Sequence, residues 1–263
     1  MMHASTAPTA LVGRAVAGAI ASSSLSGTRL WSSPFLSREE RQLIGEAATP
    51  ARTIRAGTDL IREGEGADSL FVVTQGWACR YATTREGGRQ LPALLLPGEI
   101  GNLDSLMFDR IDYGVRTITE AAVVAVPRDR ALALAAEHPG IAGSFTWLGM
   151  VDNAIMSRWA LSLGRRSALE RLAHLLCELS VRLDAQGAGV DSYAFPLTQE
   201  QVADALGLTS VHVNRTLQQL RRDGLVAIAH RTVTLPDPAR LRRLAGFDPR
   251  YLHIRAPAEQ RRG

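Results

Sequence analysis

The stretch P-L-T-Q-E-Q-V-A-D-A-L-G-L-T-S-V-H-V-N-R-T-L-Q-Q-L-R-R-D-G-L-V, running from Pro196 to Val226, decides how the chain reads. Thr198 stands where a hydroxyl accepts from the amide three residues on, and Gln201 where a capping box puts its return partner. Val202, Ala203 and Leu206 then share one side of a short helix. Gly207 follows, a residue that tolerates the positive φ needed where a helix stops. Thr209 or Ser210 caps a second helix, whose inward stripe is Val213, Leu217 and Leu220 at i, i+4 and i+7. Asp223-Gly224 ends it.

Two short helices joined by a glycine turn make a helix-turn-helix, whose second helix enters the major groove of DNA. With the stripe turned inward, the outer face shows Ser210, Val211, Asn214 and Arg215. Arg binds guanine O6 and N7 together, Asn binds adenine N6 and N7, and Val meets a thymine methyl. These four are the expected base contacts. Thr198, Gln199, Thr209 and His212 are expected at phosphates, through side chains and helix N-termini. An ordinary helical hairpin with a solvated face would not need capping, turn and outward chemistry to agree over the whole stretch.

The segment resembles the winged helix-turn-helix of the CRP/FNR superfamily, carried by Q-x-V-A-D-A-L-G-L-T-x-x-x-V-x-R and most densely by L-T-S-V-H-V-N-R-T-L. The likeness runs from about Ser33 to His253. It implies an α+β chain: an N-terminal β-roll sensor domain of jelly-roll-like form, a long dimerisation helix and a C-terminal winged helix-turn-helix. It further implies a homodimeric transcription regulator of the bacterial cytoplasm, bound to double-stranded DNA at an inverted repeat and partnered by RNA polymerase. The expected boundaries are a disordered extension at 1–30, the sensor at 31–139, the dimerisation helix at 140–164, the DNA-binding domain at 165–253 and a disordered tail at 254–263.

Charge is distributed as a polyanion partner requires. All 30 basic residues are Arg; residues 1–164 hold 15 Arg and 16 acids, net −1, and residues 165–263 hold 15 Arg and 10 acids, net +5. A chain of 263 residues accommodates two modest domains or one large one. No uncharged apolar run reaches the roughly eighteen residues of a membrane span, so no membrane partner is expected. Cys79 and Cys177 lie far apart without a C-x-x-C, against a disulfide framework, a zinc ribbon or a cysteine-ligated cluster. Residues 1–30 are Ala-, Ser- and Thr-rich with Arg14, Arg29 and no acid, a composition shared by transit peptides and disordered tails. The DNA-binding motif favours the tail.

Ser37 and Glu40 have capping-box spacing at a first helix. From Ala51 to Pro127 short β-rich runs alternate with glycine turns: Arg52–Ile54, Asp59–Arg62, Ser69–Thr74, Ala78–Thr83, Gln90–Leu95, Tyr113–Thr119 and Ala122–Val126. Phe145, Leu148, Val151, Ile155 and Trp159 then recur at helical spacing, a stripe for a core or a dimer seam; the resemblance favours the seam. Gly164-Arg165-Arg166 breaks that helix, and Ser167 with Glu170 caps the next, whose stripe is Leu169, Leu172, Leu176 and Leu179. Ala185–Ser192 is a glycine-rich loop. Leu225–Ala229 and Thr232–Leu235 form a two-stranded wing with His230 and Arg231 at a phosphate-facing tip, and Pro236–Gly246 is a last helix.

Cyclic-AMP-binding relatives carry P-G-E-x-x-G-E-L and a following Arg-Ser or Arg-Thr pair. The candidate effector-pocket residues here are Gly98, Glu99, Gly101, Asn102 and Leu103 with Arg116 and Thr117. P-G-E-I-G-N-L is one residue shorter, however, and puts uncharged Asn102 at the second Glu. Arg116-Thr117 comes later than the family pair, and Asp109 and Asp112 would repel a phosphate. The effector therefore stays open, between a small molecule and none. Cluster and haem sensing lack ligands: the sensor has one cysteine, and His3 and His138 are the histidines before residue 170. No metal or cofactor is expected. A cupin-like enzyme needs clustered His and Glu on strands, and residues 51–127 contain no His, so no catalytic activity is expected. The remaining alternative is an interaction module that no longer binds DNA.

Overall fold

The computed structural model of the chain describes residues 25–184 and 191–254. The expected extension up to residue 24, the glycine-rich loop at 185–190 and the tail from 255 lie outside the described residues. The chain divides into two compact units, residues 1–79 with 95–149, and 80–94 with 150–263.

In the first unit, α1 (Arg38–Ala47) begins with the expected box: the Glu40 amide donates to Ser37 Oγ at 3.1 Å and the Ser37 amide to Glu40 Oε2 at 2.8 Å. The Ser37 amide first, with the Gly140 and Ile141 amides adding to it, holds the Glu40 carboxyl below its usual range. One side chain thus caps its own helix and touches the start of another.

The strands are β1 (Arg52–Ile54), β2 (Asp59–Ile61), β3 (Ser69–Gln75), β4 (Ala78–Thr83), β5 (Arg89–Leu95), β6 (Gly114–Thr117) and β7 (Ala121–Pro127). They agree with the seven expected runs to within one or two residues at either end. They form sheets ordered β1-β7-β3 and β2-β6-β4-β5. Antiparallel register sets Leu70 opposite Val126 and Val72 opposite Val124, and the period of two turns all four into one core with Ile44, Ile141 and Phe145. Val73 faces the other way, into a second cluster with Ile61, Leu95 and Val115. β3 is therefore apolar on both faces. Gly76 makes the turn after it at φ 75°, where a Cβ would also strike the Glu120 carbonyl.

Several expectations need correction. Residues 25–30 are not an unstructured tail: Leu25 and Leu30 are buried in the core, and burying such a side chain is worth about 1.5–3 kcal/mol. The low-complexity composition hid two sealing leucines. A helix not foreseen, α2 (Arg128–Glu137), follows β7 directly, and its Ala131 joins the same core. The long helix α3 (Pro139–Arg165) runs through Gly164 rather than breaking there. Nothing within 4 Å would meet a Cβ at Gly164, so that glycine answers no packing need.

The apolar stripe of α3 is also not the free face. Phe145, Leu148, Val151, Ile155 and Trp159 are buried within the chain itself. The exposed apolar residues are Met150, Met156 and Leu161. Met150 and Leu161 stand about three turns apart and so share one side of the helix.

In the second unit, α4 (Ala168–Asp184) is capped as expected by Ser167 and Glu170 and is buried almost all round from Leu172 to Ser180. Around it pack α5 (Gln199–Leu206), α6 (Ser210–Arg222) and α7 (Pro238–Ala245). The last helix starts two residues later than expected, because Asp237 caps it by accepting from the Arg240 amide at 2.9 Å. The wing has three strands, not two: β8 (Ser192–Ala194) pairs with β10 (Thr232–Thr234), which pairs with β9 (Ala227–Ala229). Ser192 had been placed in the loop. β8 is three residues long and buries one side chain, Tyr193, too little for a sequence period to show.

Candidate nucleic-acid interface

The helix-turn-helix is built by local chemistry. The Gln201 amide donates to Thr198 Oγ1 at 3.1 Å and Gln201 Oε1 accepts from the Thr198 amide at 2.9 Å, which starts α5. Gly207 ends it at φ 60°, and its amide returns to the Ala203 carbonyl. Thr209 starts α6 by accepting from the His212 amide at 3.3 Å, and its hydroxyl also lies 3.0 Å from His212 Nδ1. Val202, Leu206, Val213 and Leu220 close the interior. Thr216 is buried where Leu217 was expected, and Leu217 is half-buried.

That packing leaves Ser210, Val211, Asn214 and Arg215 all exposed on the start of α6. Val211 is 76% exposed, an apolar side chain kept in water by the interior face opposite it. Thr198, Gln199, Thr209 and His212 are exposed around the two helix starts. The Asn214 amide donates to Gln199 Oε1 at 3.3 Å, joining an expected base contact to an expected phosphate contact. At the wing tip, His230 and Arg231 both lie in the left-handed region, at φ 49° and 59°. Two consecutive positive φ angles are what a two-residue hairpin turn needs to match the strand twist. Neither residue is glycine, so the turn carries backbone strain.

Below this surface lies a buried polar hub that sequence reading missed. Glu178 is fully buried on α4. Its carboxylate accepts from Arg182 Nη1 at 2.9 Å, from Trp159 Nε1 at 3.0 and 3.1 Å, and from the Tyr251 hydroxyl at 2.6 Å. The i,i+4 spacing of Glu178 and Arg182 was visible, but such pairs usually lie in water. Next to it His174 packs edge-on to Phe247 at 5.2 Å and stacks on Tyr251 at 6.0 Å. Burial first, then the charges of Arg166 and Arg158, bring its pKa down to about 3.

This gives a pH prediction with a definite sign. A His whose folded pKa is depressed binds fewer protons folded than unfolded, so its contribution is whole above the unfolded value near 6.5 and is lost as pH falls below it. From pH 7 to pH 5 the unit should lose about 2 kcal/mol through His174. Urea unfolding across that range checks it, and His174→Phe should flatten the slope.

The candidate effector residues are engaged in holding the sensor together. Asn102, fully buried, accepts from the Phe71 amide and donates to the Ser69 carbonyl and Ser105 Oγ, each at 2.8 Å. Glu99 accepts from the Leu96 amide at 3.0 Å and lies 3.5 Å from Arg29 Nε. Gly98 turns at φ 96°, a Cβ on Gly101 would press on Val115, and Leu103 is half-buried at the edge of the larger core. Arg116 forms a two-bond fork on Asp59 at 2.7 Å, and Thr117 Oγ1 bridges the Arg55 carbonyl and the Thr58 amide. The Asn102 amide thus ties β3 to the 3-10 turn at Leu103–Leu106.

A Crp-like helix-turn-helix domain matches residues 170–244, and a cyclic nucleotide-binding domain matches residues 51–138. Over 202 residues the chain is 30% identical to the transcriptional activator protein FnrL of Cereibacter sphaeroides, covering 75% of this chain and 81% of FnrL. The chain belongs to the CRP/FNR family. It is similar also to the nitrogen fixation regulation protein FixK of Azorhizobium caulinodans, at 28% identity over 77% of this chain and 82% of that protein. Among solved structures, FixK2 from Bradyrhizobium japonicum superposes with a TM-score of 0.71 at 27% identity, over 76% of this chain and 98% of that one. As a CRP/FNR member the protein is a DNA-binding transcription regulator and not an enzyme. No helix among the described residues is long and apolar enough to cross a membrane.

Proposed function

We propose that this CRP/FNR regulator works as a homodimer on an inverted-repeat promoter site and activates transcription there. The observation that carries the proposal is the exposed quartet Ser210, Val211, Asn214 and Arg215 on the first turns of α6. Arg215 and Asn214 would read base edges, Val211 a thymine methyl and Ser210 an adjacent edge or phosphate. Thr198, Gln199, Thr209, His212, His230 and Arg231 would hold the backbone and fix the register. The second copy would cover the apolar side of α3 marked by Met150 and Leu161. Two recognition helices related by a two-fold axis then reach half-sites about 10 base pairs apart. Activation follows the names of the FNR-type relatives and implies contact with RNA polymerase.

The test is selection of bound sequences from a random duplex pool by the purified protein, followed by footprinting. The expected result is one enriched palindrome with half-sites one helical turn apart, bound by a two-chain complex. An unenriched pool, or a bound single chain, overturns the proposal.

A further inference from the structure

The β4–β5 hairpin, residues 80–94, groups with the helical unit. Polar ties attach it along its length. Near its base, Arg80 Nη2 donates to Asp152 of α3 at 2.9 Å, and the Leu94 carbonyl accepts from Arg182 Nη2 at 2.6 Å. Both arginines are buried, and Arg182 is itself held by Glu178. Toward the tip, Arg89 sets Nε at 2.7 Å and Nη2 at 2.6 Å from a single Asp204 carboxylate oxygen, with Glu200 at 3.4 Å. Gln90 donates its amide to the Ala205 carbonyl at 3.2 Å. Glu200, Asp204 and Ala205 all lie on α5, the first helix of the helix-turn-helix.

The ties are of two kinds. Those at the base run through two buried guanidinium groups, which lose much if stranded. Those to α5 run through Arg89, whose side chain is 34% exposed, and pairs of that sort are worth little enough to open and close. We propose that the hairpin is a clamp on α5, with Arg89 as its releasable contact, and that the clamp sets how firmly the reading helix is presented. α5 and α6 share one interior, so whatever steadies α5 steadies Asn214 and Arg215. The reading face is open in the clamped arrangement, so release lowers DNA affinity. The clamp rests on the promoter-binding reading above: β5 begins with the side chain that grips the DNA-binding motif.

The experiment compares Arg89→Ala with Arg85→Ala, which removes the same charge from the turn of the same hairpin. Amide hydrogen exchange of residues 199–206 in the free protein is read first, then affinity for the duplex selected by the wild-type protein. Arg89→Ala should speed exchange in α5 about fivefold, the equivalent of one surface pair, and weaken binding by a similar factor. Arg85→Ala should change neither. Arg89→Asp combined with Asp204→Arg should return exchange to the wild-type rate. Unchanged α5 exchange in Arg89→Ala, an equal effect of Arg85→Ala, or failure of the charge swap overturns the clamp. Should the exchange results hold while the wild-type protein selects no duplex, the clamp stands and the promoter-binding proposal falls.

Discussion

Glu178→Ala is expected to remove about 3–5 kcal/mol of folding stability, the usual cost of breaking a buried ion pair from one side. The substitution takes the Glu178 carboxylate away from the Arg182 guanidinium, which is 3% exposed. It also strands the indole N–H of Trp159 and the hydroxyl of Tyr251, both on buried side chains. Three elements lose their common acceptor at once: α3, α4 and the 3-10 turn at Pro249–Leu252. Glu178→Gln keeps the shape and one acceptor oxygen but not the charge, and should fall between. Urea unfolding followed by far-UV circular dichroism measures both. A loss below about 1 kcal/mol for the alanine variant would mean that the hub is better hydrated than its burial says.

Arg215→Ala should weaken binding to the selected duplex by about 1–3 kcal/mol and relax preference at one position per half-site. Folding should be untouched, because the side chain is exposed and packs no interior. The comparison that decides its role is with Arg231→Ala at the wing tip. A phosphate contact lowers affinity for all sequences alike and reduces the salt dependence by about one ion, whereas a base contact changes which sequence wins. Quantitative binding to the palindrome, to single-position variants and to scrambled duplex separates the two. If Arg215→Ala binds every duplex more weakly by the same factor, Arg215 belongs with the backbone contacts.

The helix-turn-helix was legible because its signals are local. Thr198, Gln201, Gly207 and Thr209 each do within four residues what their chemistry announces, and the structure repeats those hydrogen bonds. Strand positions were legible for the same reason, through glycine turns and a period of two. What was hidden depends on partners distant in sequence. Leu25 and Leu30 look like part of a small-residue tail until the strand core they cover is in place. Glu178 looks like a solvent-facing acid until Trp159 and Tyr251, nineteen residues before and 73 after it, arrive to donate. The stripe of α3 has correct spacing for a seam between two chains and for an interior alike; only the fold assigns Phe145 to Trp159 to the interior and leaves Met150 and Leu161 outside. Asn102 shows the converse, where a family position suggested a ligand contact and the side chain serves as a brace.

Both sulfhydryls of the chain are sealed. Cys79 is buried in β4, and Cys177 lies within α4 where burial pushes its thiol up to about 12. Maleimides and iodoacetamides attack ionised sulfur at a reachable surface, and neither native side chain offers that. A new cysteine engineered on an outer position of the wing would therefore be the one handle that takes a dye. The wild-type background, with no native residue first replaced, is already suited to fluorescence reporting of how this domain meets a duplex.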